Sequence, residues 1–235
     1  MLELIRIDLK GVNCYLSKNE NGFILFDTGG HLVMDQQFTN RRELLLKELK
    51  DAGCTPDNLN LIVLTHGDND HTCNAAYLRK HYNAPIAMNA YDKELVDGPT
   101  LRKWMKSYQY SSVELQHMFL QYQEVITNVT QKTLDEFESF NPDILLEDGF
   151  DLSVYGLEAK VFHVPGHTPG SIAIVIKGDE LIAGDLFENI EKPGPAPNAI
   201  DFPLLYDSIN KFKNLTIKTV YPGHGDPFCF EDLQL

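Results

Sequence analysis

The stretch His66-Gly67-Asp68-Asn69-Asp70-His71 most constrains how this chain can fold. It comes just after the apolar residues 61–64, which are typical of a short buried strand. Imidazole and carboxylate side chains at the end of one strand can meet at a point with little loss of chain-closure entropy. Together these groups suit zinc or another first-row divalent ion. The alternative for this stretch alone is a polar loop in which Asp70 caps the next helix.

The same arrangement recurs further along the chain. Apolar residues precede Pro165-Gly166-His167, Gly184-Asp185 and Pro222-Gly223-His224, and each apolar run predicts a short strand. If these strands share one edge of a sheet, their polar ends gather where open α/β sheets usually bind ligands. Turns alone do not easily explain this repetition, so the set favours a metal site.

The rest of the chain predicts short strands and helices. We expect further strands near residues 5–7, 12–16, 23–26, 85–88, 150–155, 157–164, 171–176, 180–183 and 217–221. We expect helices over residues 38–52 (capped by Asn40), 72–82, and 207–215 (capped by Asp207). The apolar strand 23–26 ends in Asp27-Thr28-Gly29. Asp27 can either cap the following turn or support the metal site through contacts with its ligands, and the motifs further along the chain favour the supporting role.

Residues 98–141 break this pattern and are helical in character. Ser111 and Thr133 each stand three residues before a glutamate, which is the pattern of a capping box. The segment holds the only tryptophan, Trp104, together with several other aromatic residues. We expect two or three inserted helices, which either pack around a small core of their own or form a lid over the site.

Composition narrows the classes of function. The formal net charge of −14 repels phosphate backbones, so nucleic acid is not an expected partner. No apolar run reaches the roughly 18 residues of a membrane helix, and residues 1–6 lack the pattern of a signal peptide. We therefore expect a cytoplasmic protein whose partner is a small-molecule substrate. The oligomeric state stays open.

The order of these motifs resembles the metallo-β-lactamase superfamily of metallohydrolases. The resemblance runs from Asn13-Cys14-Tyr15 and Asp27-Thr28-Gly29 to Tyr221-Pro222-Gly223-His224-Gly225. It implies an α/β fold in the form of a four-layer αββα sandwich. It also implies one domain over residues 1–235, with a helical insertion at about 98–141 and two divalent ions in a cleft between the sheets.

The resemblance also implies which residues bind the ions. The first ion would be held by His66, Asp68 and His167, the second by Asp70, His71 and His224, and both would be bridged by Asp185. Asp68 stands where the family pattern has its second histidine, which makes the first site richer in oxygen. We expect zinc as the cofactor, with iron or manganese as the alternatives.

A hydroxide between two divalent ions is a nucleophile at neutral pH. We therefore expect a hydrolase in which a metal-bridged hydroxide attacks an ester, a thioester or a lactone, or with less support a phosphoryl centre. Asp70 and Asp185 are the expected catalytic residues. Few residues follow His224, so we do not expect the basic segment with which related thioester hydrolases hold glutathione.

Two other classes of function stay open. One is a diiron redox protein, similar to oxygen or nitric oxide reductases, that works with a separate flavoprotein. The other is a non-catalytic protein that uses a metal for binding or sensing.

Overall fold

The computed structural model describes residues 3–32, 37–105 and 108–233. Its strands are β1 (Glu3–Asp8), β2 (Asn13–Asn19), β3 (Gly22–Phe26), β4 (Leu59–Val63), β5 (Ile86–Met88), β6 (Gln109–Tyr110), β7 (Ile144–Leu145), β8 (Ala159–His163), β9 (Ile172–Ile176), β10 (Glu180–Asn189), β11 (Gly194–Pro195), β12 (Asn198–Ala199), β13 (Thr219–Gly225) and β14 (Phe228–Cys229). Its α-helices are α1 (Arg42–Asp51), α2 (Asn69–Thr72), α3 (Ala75–Tyr82), α4 (Leu101–Trp104), α5 (Val113–Gln121), α6 (Gln123–Glu136) and α7 (Phe202–Asn210). Short 3-10 helices cover Ala90–Leu95, Leu152–Tyr155 and Phe230–Asp232.

Two sheets form the centre of the molecule. The first has the strand order β1-β2-β3-β4-β5-β7, and the second has the order β14-β13-β10-β9-β8 with β11 added to β10. The strands β3, β4 and β5 are parallel, as are β10 and β13. Parallel strands place their carboxyl ends at the same edge of a sheet, which is the edge that carries the predicted ligands.

Three clusters of buried apolar side chains define the layers. One cluster joins the outer face of the first sheet to α1 and α3, with Leu25 and Leu45 among its members. The second lies between the two sheets and contains Phe26 and Ile174. The third joins the outer face of the second sheet to α7 and contains Ile209. Neighbouring residues of one strand thus enter different clusters, as the alternation of side chains along a strand requires.

The architecture confirms the predicted α/β sandwich of helices, two sheets and helices. No helix in the described ranges is long and apolar enough to span a bilayer. Residues 98–141 contain α4, β6, α5 and α6, so their predicted helical character is also confirmed.

Two predicted elements are wrong in place or type. Residues 150–155 form an isolated bridge at Asp151 and a 3-10 helix instead of a strand, because the Asp151 carboxylate accepts a hydrogen bond from the Ser153 N–H at 2.8 Å. The last helix begins at Phe202, earlier than expected. Its cap is Asp201, whose carboxylate accepts from the Leu204 N–H at 2.9 Å, and not Asp207.

Three smaller expectations about helix ends are also corrected. The helix expected over 72–82 is divided into α2 and α3, so Asp70 lies inside α2 and does not cap it. Ser112, and not Ser111, caps α5 by accepting from the Leu115 N–H at 3.2 Å. Thr133 lies inside α6, where its hydroxyl donates to the Val129 carbonyl at 2.9 Å.

Candidate metal centre

The structure brings the seven predicted ligand side chains together at one edge of the two sheets. The loop after β4 and the short helix α2, next to the first sheet, carry His66, Asp68, Asp70 and His71. The second sheet and its loops carry His167, Asp185 and His224. Three groups of side chains have ligand atoms within 4.8 Å of one another: His66 with His71 and Asp185, His66 with Asp68 and His167, and Asp70 with His71 and His224.

Asp185 lies at the centre of the cluster. Its Oδ1 lies 3.3 Å from Nε2 of His71, and its Oδ2 lies 3.3 Å from Nε2 of His224 and 3.5 Å from Nε2 of His167. Both carboxylate oxygens therefore face ring nitrogens of the cluster. This is the position that a carboxylate shared between two ions requires.

Two of these side chains do not lie beyond a strand, as the sequence predicted, but inside one. Asp185 belongs to β10 and His224 to β13, and the pairing of these strands shifts register between Ile182 and Glu188. Gly184 sits in this irregularity with φ of +50°, a conformation that favours glycine. The irregularity turns the Asp185 carboxylate toward the histidines.

The outer nitrogen of each histidine has a hydrogen-bond partner. Nδ1 of His71 donates to Oδ2 of Asp27 at 2.9 Å, Nδ1 of His167 to the Asn198 carbonyl at 3.0 Å, and Nδ1 of His224 to the Gly11 carbonyl at 2.6 Å. These acceptors carry no proton, so the imidazoles must be the donors. The lone pair of each neutral ring is then on Nε2, which faces the cluster.

The fourth histidine is fixed through Asp27. The Thr65 hydroxyl donates to Oδ2 of Asp27 at 2.7 Å, which leaves its oxygen free to accept from Nδ1 of His66 at 3.0 Å. The Thr65 N–H also donates to Oδ1 of Asp27 at 2.7 Å. Asp27, itself at a positive φ of 59°, thus orients His66 and His71 together, which agrees with its predicted supporting role.

Two buried polar atoms in the cluster make no hydrogen bond within the described ranges: Nε2 of His66 and Oδ1 of Asp185. In addition, Nε2 of His71 and Nε2 of His224 face each other at 3.4 Å. Buried polar atoms without partners are costly. The donor set therefore fits one or two divalent cations, which would satisfy all of these atoms.

Protonation differs across the cluster. Burial, together with the charge of His71, lowers the pKa of His66 well below its usual range. Burial also lowers the pKa of His224, but the carboxylates of Asp185 and Asp70 outweigh it and raise the value to about 9. Burial would raise the pKa of Asp185, yet the histidines around it hold that pKa well below its usual range. Asp185 is thus a carboxylate at neutral pH.

Sequence reasoning did not assign a role to Tyr108, which contacts two of the predicted ligands. Its hydroxyl donates to Oδ2 of Asp68, and its ring stacks on that of His167 with 5.4 Å between centroids. Burial, followed by the negative charge of Asp68, raises the pKa of Tyr108 well above its usual value, so the hydroxyl keeps its proton. The only signal in the sequence was the cluster of aromatic residues in 98–141.

Asp92 was also missed, and it joins two of the loops that carry predicted ligands. Its carboxylate accepts from the Gly67 N–H at 2.9 Å, the Gly170 N–H at 2.8 Å and the Thr168 hydroxyl at 2.6 Å. Its side chain is fully buried. No local pattern distinguishes Asp92 in the sequence, because its partners are distant along the chain.

A family model described as the metallo-beta-lactamase superfamily matches residues 7–224. The chain belongs to the metallo-beta-lactamase superfamily. This confirms the family resemblance that its motifs suggested. The individual ion-binding roles of the seven side chains stay predictions.

Proteins of related sequence are distant members of this superfamily. A probable metallo-hydrolase of Methanocaldococcus jannaschii is 25% identical over 201 residues, which cover 83% of this chain and 83% of the relative. A Haemophilus influenzae protein named hydroxyacylglutathione hydrolase GloC is 24% identical over 195 residues, which cover 79% of this chain and 74% of the relative.

Solved structures of the superfamily share the fold. The BLEG-1 B3 metallo-beta-lactamase has a TM-score of 0.68 at 22% identity, covering 99% of this chain and 95% of that one. TTHA1623, solved in a di-iron-bound form, has a TM-score of 0.59 at 24% identity, covering 97% of this chain and 94% of that one. At these identities the likeness establishes the superfamily fold alone.

A cavity of about 350 Å³ opens next to the cluster of predicted metal ligands, and five of these seven side chains line it. Its remaining wall comes in large part from residues 98–141, including Trp104, Phe119 and Ile126. This volume lies within the range of pockets for small organic ligands. The helical segment therefore forms one side of the candidate active site.

Proposed function

We propose that this protein is a hydrolase that holds two divalent ions, zinc or alternatively iron or manganese, and cleaves an acyl bond in a small molecule. The supporting observation is the arrangement of four histidines whose outer nitrogens are all hydrogen-bonded and whose Nε2 atoms face Asp185. Such preorientation is characteristic of metal ligands. Esters, thioesters and lactones are the candidate substrates.

Divalent ions in this site would lower the pKa of a bound water to roughly 7 and polarise the substrate carbonyl. The chain supplies the geometry. Asp185 faces histidines with both carboxylate oxygens, and Asp70 lies beside it, with Oδ2 3.5 Å from Nε2 of His224. Asp70 also lines the cavity, where its carboxylate can orient the attacking water.

The overall reaction is an ordinary acyl hydrolysis. The oxygen of water forms a bond to the acyl carbon, and the bond from that carbon to the leaving oxygen or sulfur breaks. The leaving atom takes a proton, which gives a carboxylic acid and an alcohol or thiol. The relative named hydroxyacylglutathione hydrolase is one reason to keep thioesters among the candidates.

Elemental analysis of the purified protein, followed by a panel of ester, thioester, lactone and phosphodiester substrates, tests this proposal. We expect close to two divalent ions per chain and turnover of at least one acyl substrate. Asp185→Ala and His224→Ala should lose both bound metal and turnover. His117→Ala, which changes an exposed histidine on α5, is the matched control. Full turnover by metal-depleted Asp185→Ala would refute the proposal.

A second candidate is a diiron redox protein that receives electrons from a separate flavoprotein. It is favoured by the oxygen-rich ligand set, in which Asp68, Asp70 and Asp185 all take part. Iron as the principal metal, with visible absorption that bleaches on reduction, would support this candidate. Zinc together with acyl turnover would exclude it.

A further inference from the structure

We infer that the helical segment 98–141 builds an apolar subsite for the acyl chain, and that the substrate is an uncharged acyl compound with an apolar chain. This inference rests on the proposed function, and it names the class of substrate that the cavity would take.

The wall of the cavity is strongly apolar on the side of this segment. Six of the seven side chains that the described residues of the segment contribute, all except Thr130, are apolar or aromatic: Trp104, Met105, Tyr108, Tyr110, Phe119 and Ile126. Phe119 is supported by Tyr110, whose ring stacks on it with 4.5 Å between centroids. Trp104 is fixed by a hydrogen bond from its Nε1 to the Leu95 carbonyl at 2.9 Å. The wall is thus held in place before any ligand binds.

Apolar residues outside this segment extend the apolar surface. Phe187, on β10, and Ile190 and Pro197 also line the cavity. An apolar lining favours an aliphatic or aromatic group by removing it from water. A charged group would lose its hydration in contact with these apolar side chains.

Tyr108 marks where the polar end of the cavity begins. It also lines the cavity, and its ring stacks on His167 while its hydroxyl meets Asp68. The apolar wall therefore starts one aromatic ring away from the candidate metal ligands. A carbonyl group at the cluster would leave its chain directed along the wall.

Charge in the cavity disfavours an anionic chain. Of the described residues that line it, Glu188 is the one charged side chain outside the candidate ligand set. A carboxylate or phosphate on the chain would face this glutamate and would also have to enter apolar surroundings. The acyl chain of the substrate is therefore uncharged.

Binding can be measured without catalysis, because Trp104 is the only tryptophan in the chain and lines the cavity. Titrations of the metal-loaded protein with acetamide, butyramide, hexanamide and octanamide should change Trp104 fluorescence. We expect affinity to rise by up to about fourfold per methylene until the cavity is filled. Adipamic acid, which carries a terminal carboxylate, should bind at least tenfold more weakly than hexanamide.

Paired variants locate the subsite. Ile126→Ala should reduce the gain per methylene, whereas Val125→Ala changes an adjacent side chain that is 51% exposed and should not. Phe119→Leu, a milder change, guards against loss of folding in the first variant. Equal affinities along the amide series, or equal effects of the Ile126 and Val125 variants, would overturn the inference.

Hydrolysis of p-nitrophenyl acetate, butyrate and hexanoate separates this inference from the proposed function. We expect kcat/KM to rise with chain length, mainly through a lower KM. Hydrolysis that does not depend on chain length would refute the apolar subsite but would agree with the proposed hydrolase function. Chain-dependent binding without hydrolysis of any acyl substrate would support the subsite and refute the hydrolase.

Discussion

The hydroxyl of Tyr108 donates a hydrogen bond to Oδ2 of Asp68, and the same carboxylate oxygen lies 3.3 Å from Nε2 of His167. Asp68 is the residue at which the motif resemblance leads us to expect a histidine, and a carboxylate is shorter than an imidazole. The phenol of Tyr108 fills the space beside it and restricts its rotation. This hydrogen bond joins the helical segment to the candidate metal centre.

Tyr108→Phe removes this donor and keeps the ring that stacks on His167. We expect metal affinity to fall about 10- to 100-fold, which is typical when a partner of a metal ligand is lost. Competition with a chromophoric chelator measures the affinity, and the visible spectrum of the cobalt-substituted protein should shift. Tyr122→Phe, at an exposed position of the same segment, is the control. Unchanged affinity and an unchanged spectrum would contradict this role.

Asp92→Asn should loosen the two loops that Asp92 joins. The carboxylate accepts hydrogen bonds from Gly67, Thr168 and Gly170, and an amide group would turn its NH₂ toward at least one of these donors. We expect the free energy of unfolding to fall by about 1–3 kcal/mol, measured in urea. Metal affinity should fall as well. Asp97→Asn, at a partly exposed carboxylate paired with Lys93, should change neither quantity appreciably.

Gly223→Ala should disturb the metal centre without changing a ligand. A Cβ atom at Gly223 would lie 2.1 Å from Oδ1 of Asp185 and 2.8 Å from Cε1 of His71, so these side chains would have to move. We expect loss of most bound metal by elemental analysis with the far-UV circular dichroism retained. At Gly194 a Cβ atom meets nothing within 4 Å, so Gly194→Ala should keep its metal.

Metal binding should release protons at neutral pH. In the metal-free protein the pKa of His224 is raised to about 9, so at pH 7 the ring holds a proton on the nitrogen that the metal needs. Metal affinity should therefore increase as the pH rises from 7 to about 9 and decrease on acidification. Calorimetric titration in buffers of different ionisation enthalpy should give at least one proton released at pH 7. A binding enthalpy independent of the buffer would contradict this.

Local patterns were enough to locate the longer strands and most of the helices, since apolar periodicity reflects which faces are buried. They did not predict the two-residue strands β6, β7, β11, β12 and β14. They failed where a single side chain decides the outcome. Residues 150–155 look like a strand, but Asp151 turns the backbone into a 3-10 helix. Two aspartates could cap the last helix, and the choice of Asp201 places Pro203 in the first turn, where its missing N–H costs little.

In the candidate site, too, local motifs identified some of the residues and missed others. The seven proposed ligands could be named from motif order because each motif contains its own ligand types. Asp92 and Tyr108 could not, because their roles come from contacts across 25 or more positions, to Gly67 for one and to Asp68 for the other. Asp27 lies between these cases, since its motif was visible but its link to Thr65 was not.

Each sheet carries only part of the candidate ligand set: the first holds the 66–71 stretch, and the second holds His167, Asp185 and His224. An ion bound at their common edge is therefore a crosslink between the amino-terminal and carboxyl-terminal halves of the chain. Chelation would then act as a mild denaturant, and cells short of metal would accumulate a less stable protein that proteases remove first.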